Sequence, residues 1–148
     1  MKRVTLLFKA LMFSGLLLAG TAACAQASSY VPGTVWNVSS IKIEPGQFEN
    51  YMDFLAKTWK KSNEFGMKEG NVVSYHVLAV SNPREGEPDL FLVIETKDYL
   101  STAQQLALQK KYEEFMAQDA HKMDTGSGER KVMRKLAGSM ELQELKLK

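Results

Sequence analysis

The sequence predicts an α+β fold, built as two successive β-α-β units around one antiparallel four-stranded sheet. Three observations lead there. Runs rich in β-branched and aromatic residues recur along the chain at strand length. Between them lie stretches whose apolar residues repeat at helical spacing. The connection from Asn82 to Pro88, with two prolines and Gly86, is a polar hairpin loop that divides the two units.

Thr34 to Ile43 reads as the first strand, preceded by a lead-in over 28–33 that contains Pro32 and Gly33. Pro45-Gly46 then opens a helix, since proline's missing N–H costs nothing in a first turn. Phe48, Tyr51, Met52, Leu55, Trp59 and Ser62 form its inward stripe, with Asp53, Lys57, Lys60 and Glu64 on the wet side. Gly66 or Gly70 is expected to stop it. Asn71 to Ser81 is the second strand and Asp89 to Thr96 the third. Ser101 with Gln104 makes a capping-box pattern for a second helix, whose inward residues are Leu108, Tyr112, Phe115 and Met116. Thr125-Gly126-Ser127-Gly128 is expected as a break, Glu129 to Leu136 as a short helix, and Ser139 to Leu147 as the last strand. The order βαββαβ is that of a ferredoxin-like sandwich.

The strands do not alternate as a sheet with one wet face should. The third carries Leu90, Leu92 and Ile94 on one face and Phe91 and Val93 on the other. Helices cover only one face, and a monomer rarely exposes a large apolar patch. A homodimer packed sheet to sheet is the expected solution.

The N-terminus has the three parts of a secretory signal peptide: a basic Met1-Lys2-Arg3, a largely apolar stretch from Val4 to Ala19 broken by Lys9, and small residues before Ser28. This divides the chain into a signal peptide over 1–27, the lead-in over 28–33 and a single domain over 34–148. Ala25-Gln26-Ala27 fits a soluble cleavage site, giving a periplasmic or secreted protein. Ala22-Ala23-Cys24 offers the alternative of a lipoprotein anchored through Cys24. The whole chain has 19 basic and 17 acidic residues, net +2. Without Lys2, Arg3 and Lys9 it has 16 against 17, net −1. No basic surplus then argues for nucleic acid, and no membrane contact is expected unless Cys24 is lipidated. Cys24 is the single cysteine, so the mature domain has neither disulfide nor thiol nucleophile.

Asn37 and Ser39 share one face of the first strand, opposite Trp36 and Val38. A buried Asn needs a hydrogen-bond partner, whether ligand, partner strand or water. Asn37-Val38-Ser39 is formally a glycosylation sequon, but inside a strand it is discounted. Tyr51, Trp59 and Tyr75 are candidates for the wall of a small apolar pocket, with core packing as the plainer reading. His76 lies mid-strand, either a proton shuttle in a pocket or a histidine at a sheet face, with Glu95 as its candidate partner. The Asp124 to Lys131 segment mimics a phosphate loop without the required spacing. Two scattered histidines, His76 and His121, make no metal site.

The run Val35-Trp36-Asn37-Val38-Ser39-Ser40-Ile41-Lys42-Ile43-Glu44-Pro45-Gly46, the helix with Phe48 and Trp59, Gly70 before the second strand, and the ending Gly138 to Leu147 together resemble the dimeric α/β-barrel superfamily. The resemblance covers about residues 34–148 and points most closely to an exported branch. It implies ferredoxin-like domains that dimerise through their sheets. Haem-degrading members of that superfamily use an asparagine on strand one, a tryptophan on helix two and a histidine near that helix's end. Here His121 stands near such a position, but Asn37 is displaced towards the strand start and helix two has no tryptophan, so no cofactor is expected. Two functions follow: an exported homodimer that binds a small apolar or aromatic molecule or a protein partner, or a cofactor-free monooxygenase or isomerase using Asn37 and His76.

Overall fold

The structure is a computed structural model, and it describes residues 27–148. The expected signal peptide therefore lies almost wholly outside the described residues. Four strands, β1 (Tyr30–Ile43), β2 (Val72–Ala79), β3 (Leu90–Thr96) and β4 (Arg134–Leu147), form one antiparallel sheet in the order β2-β3-β1-β4. This α+β arrangement fits a ferredoxin-like fold.

β1 starts at Tyr30, inside the stretch expected as a lead-in, because Tyr30, Val31 and Pro32 pair with Leu147, Lys146 and Leu145 of β4. Register shifts between Pro32 and Val35 and between Ser40 and Ile41 bend this long pair. Asp89 locks the other end. Its carboxylate accepts from Lys42 Nζ at 2.8 Å and from the Ile43 N–H at 2.7 Å. Lys42 holds the Asp89 carboxyl below its ordinary range, and the Ile43 N–H adds to the effect.

The first helix begins later than Pro45-Gly46, which form a turn with Gly46 at φ 76°. It runs as α1 (Phe48–Phe54), a π-helical turn (Leu55–Trp59) and α2 (Lys60–Lys68). The Lys60 N–H donates back to Leu55 O across that turn. A buried Asn63 donates its Nδ2 to the Trp59 carbonyl at 2.8 Å. Gly70, at φ 82°, ends α2. Its N–H donates to Met67 O and the next N–H, of Asn71, to Gly66 O, satisfying two terminal carbonyls.

α3 (Thr102–Met116) starts at the expected capping box, with Ser101 Oγ accepting from Gln104 N. The Thr125 to Gly128 break is corrected: α4 (Ala120–Glu129) runs straight through it. Asp119 caps its start by accepting from Lys122 N, and Arg130 Nη1 donates to Gly126 O near its end. These end contacts offset the roughly 1 kcal/mol that each glycine costs inside a helix. The short helix expected up to Leu136 is only a 3₁₀ turn, Arg130–Val132, and β4 begins at Arg134, well before Ser139.

The core joins Ile41, Leu90 and Leu92 of the sheet to Tyr51 and Leu55 of the first helix. Trp59 meets Tyr75 of β2 edge to face at 5.4 Å. Phe65 of α2 packs on Tyr112 and Phe115 of α3. Arg130, after α4, lies over the Phe54 ring. Each helix is thus tied, directly or through a neighbour, to one face of the sheet. The opposite face carries Trp36, Val38, Phe91, Val93, Leu78, Met140 and Leu142, which share cross-strand positions. Leu78, Met140 and Leu142 there are 51%, 49% and 48% exposed.

Candidate functional site

Between α2, α3 and the covered face of the sheet lies a cavity of about 380 Å³. Val72 and Ile94 form its floor, and Phe65, Leu100, Leu108 and Tyr112 its walls. Ser62, Asn63 and Asn71 add polar groups from α2 and the α2–β2 junction, and Gln105 and Gln109 add them from α3. A neighbouring recess of about 230 Å³ shares Asn71, Leu100 and Leu108 and reaches Glu69 and Lys111.

The local sequence explains the space. α3 buries no residue completely. It is held to α2 by Phe65 against Tyr112 (5.5 Å) and Phe115 (4.9 Å), by Lys61 over the Phe115 ring, and by the Lys111–Glu69 ion pair at 2.6 Å. These contacts keep α3 off the sheet while fixing its distance from α2. At the cavity floor α2 comes very close to β2: a Cβ on Gly66 would stand 2.5 Å from Val72 Cγ2. Asn71 sits at this junction with both backbone groups bonded, to Gly66 O and from the Lys97 N–H, while its Oδ1 is buried without a partner. An orphaned buried acceptor costs about 1–3 kcal/mol.

The sheet register separates the expected site residues. Asn37 and Ser39 face the helices, opposite Ile94 and Leu92 on β3 and Glu141 and Ser139 on β4. Tyr75 is on that face as well, opposite Ile94, with Trp59 packed on its ring. His76 is on the other face, opposite Val93 and among the exposed apolar residues. Asn37 and His76 therefore do not share a pocket. Glu95 lies on the same face as His76 but accepts from Ser74 Oγ at 2.7 Å. His121 is exposed in the first turn of α4.

None of Asn37, Ser39, Trp59, Tyr75 and His76 lines the cavity. Its lining was missed by sequence reasoning, although one signal was present. Asn63 follows Trp59 by four residues and Leu55 by eight, so it is a polar residue on an apolar stripe.

A second polar cluster sits at the start of β4. Arg130 lies over the Phe54 ring at 4.7 Å, and Phe54 stacks on Tyr51 at 5.8 Å. The Arg134 guanidinium lies beside the Tyr51 phenol. Burial pushes the Tyr51 phenol above its ordinary value, and the charge of Arg134 pulls the other way. Burial first, and then Arg134, push Arg130 below its ordinary value.

Among the described residues no group of three or more His, Cys, Asp or Glu side chains is placed to hold a metal ion. No helix among them is long and apolar enough to cross a membrane.

No protein-family model matches the chain, and no curated protein does. Among solved structures, the crystal structure of PA3566 from Pseudomonas aeruginosa is similar at 13% identity and a TM-score of 0.40, over 78% of this chain and 96% of that one. A likeness at that level says nothing about activity.

Proposed function

We propose that this chain is an exported homodimer that binds a small apolar or aromatic molecule between α2, α3 and the sheet. The observation that carries this is the cavity of about 380 Å³. Its volume is within the range of about 300–1,000 Å³ usual for small-molecule sites, and such sites combine apolar walls with a few polar groups. α3, which buries no residue completely and packs on α2 through Tyr112 against Phe65, forms the outer wall of that cavity.

The fold and assembly belong to the same reading. The order β2-β3-β1-β4, taken from the other edge, is the β4-β1-β3-β2 arrangement of a split βαβ sandwich, which supports a ferredoxin-like domain of the dimeric α/β-barrel type. The exposed Leu78, Met140 and Leu142 face supports a second copy as its cover. That face is apolar and carries few charges, so a self-complementary sheet-to-sheet contact fits it better than a charged partner does. Export rests on the basic, apolar and small-residue segments that precede Ser28. Intact mass of the native protein tests it: a chain starting at Gln26 or Ser28 supports soluble export, a lipidated Cys24 supports anchoring, and an uncleaved chain refutes export. For the alternative of a cofactor-free oxygenase or isomerase, the register leaves no single pocket shared by Asn37 and His76, which lie on opposite faces of the sheet.

Indole, small and uncharged, is a suitable probe of the cavity. Calorimetric titration is expected to give saturable binding to the wild type. Leu108→Trp, which fills the cavity from α3, is expected to abolish it while leaving the far-UV circular dichroism unchanged. Indole binding that survives Leu108→Trp at wild-type affinity, or that never saturates, rejects the cavity as the site.

A further inference from the structure

Neither Arg130 nor Arg134 lines the α2–α3 cavity, and their cluster has a feature that folding alone does not explain. Two guanidiniums stand close together at the start of β4, both half-buried. Neither is within ion-pair distance of a carboxylate among the described residues. The segment Arg130-Lys131-Val132-Met133-Arg134-Lys135 adds two more cations and no acid. Placing like charges side by side in partly buried surroundings is costly when nothing offsets them.

The hydrogen bonding is incomplete in the same direction. Arg130 uses Nη1 on the Gly126 carbonyl at 2.8 Å, which leaves most of its five N–H donors free. Arg134 Nε is buried with no acceptor among the described residues. Buried donors without a partner are rare. Around these donors stand the rings of Phe54 and Tyr51. The cluster is therefore rich in donors, positively charged and bordered by the partly exposed Phe54 ring, with the buried Tyr51 stacked on it.

We propose that Arg130 and Arg134 form a binding site for the carboxylate of a small apolar or aromatic acid. A carboxylate has the planar pair of acceptors that guanidinium forks match. The partly exposed Phe54 ring beside Arg130 favours a carboxylate on an apolar body over a strongly hydrated phosphate. This site does not depend on the cavity reading: Leu108→Trp leaves it intact.

Benzoate, benzamide and inorganic phosphate are the probes, titrated calorimetrically at low ionic strength into the mature protein. Benzoate is expected to bind saturably, and more weakly as salt rises. Benzamide, of the same shape without the charge, is expected not to bind. Arg130→Gln and Arg134→Gln should each weaken benzoate about tenfold or more, the effect of losing one charge-assisted pair. In the wild type, the Arg134 Nε–H proton resonance should move downfield on adding benzoate. That reading holds even if a variant fails to fold. The proposal is overturned if benzoate does not bind, if benzamide binds equally well, if phosphate binds in its place, or if both folded variants keep wild-type affinity.

Discussion

Replacing Gly66 by alanine tests how tightly α2 closes on β2 at the cavity floor. The added Cβ would stand 2.5 Å from Val72 Cγ2 and 3.3 Å from Val72 Cβ. Ordinary carbon–carbon contacts are about 3.5–4.0 Å. Two effects oppose each other. Alanine is favoured over glycine within a helix by about 1 kcal/mol. Forcing a methyl group against a stiff β-branched neighbour costs about 1–3 kcal/mol. The net expectation is a destabilisation of about 1 kcal/mol, the clash exceeding the propensity gain. In a Val72→Ala background Cγ2 is gone and most of the clash with it. There the same substitution should stabilise the protein by up to about 1 kcal/mol. The coupling between the two positions is then about 2 kcal/mol, within the range for side chains in contact. Urea denaturation of the four proteins, compared at equal m-value, measures it. An equal effect of Gly66→Ala in both backgrounds, or a stabilisation in the wild type, refutes the close approach.

Asp89 makes stability depend on pH. Its folded carboxyl is held low, by Lys42 first, so its contribution is present above the ordinary carboxylate pKa and disappears as pH falls through the depressed value. Asp89→Asn should therefore cost about 1 kcal/mol near neutral pH, a modest figure because Lys42 is partly exposed, and nothing in strong acid. A gap between the two unfolding curves that persists at low pH contradicts this. The sheet-to-sheet assembly has its own test: light scattering should give twice the chain mass for the wild type, and a folded monomer for Leu78→Asp with Met140→Asp. A monomeric wild type at micromolar concentration removes the dimer.

The number and type of strands were legible because β-branched runs, glycine stops and a capping box are local signals, each readable within a few residues. Ser101 with Gln104, Gly70 and the Asn82 to Pro88 loop all mark real ends of elements. Around α4 the local signal misled. Two glycines read as a break, but the Asp119 cap and the Arg130 contact to Gly126 hold the helix through them.

The faces of the strands were harder to read, since alternation identifies a face only when one side is polar. β2 has Leu78 on one side and Tyr75 and Val77 on the other, so its pattern does not say which side meets the helices. The pairing decides it, and pairing depends on the long loop before β3 and on the register shift between Val72 and Ser74. A shift of one residue exchanges every side chain between the faces. That is why Asn37 and His76, both polar and both mid-strand, fall on opposite sides. The polar centre of β1 follows from the same geometry. Asn37 and Ser39 lie beneath the helices but outside the lining of the cavity, in a row with Ile94 and Leu92. Two of the polar groups that do line the cavity, Asn63 and Asn71, come from a helix stripe and a helix end, where their neighbours in sequence gave little sign of what α3 would later cover.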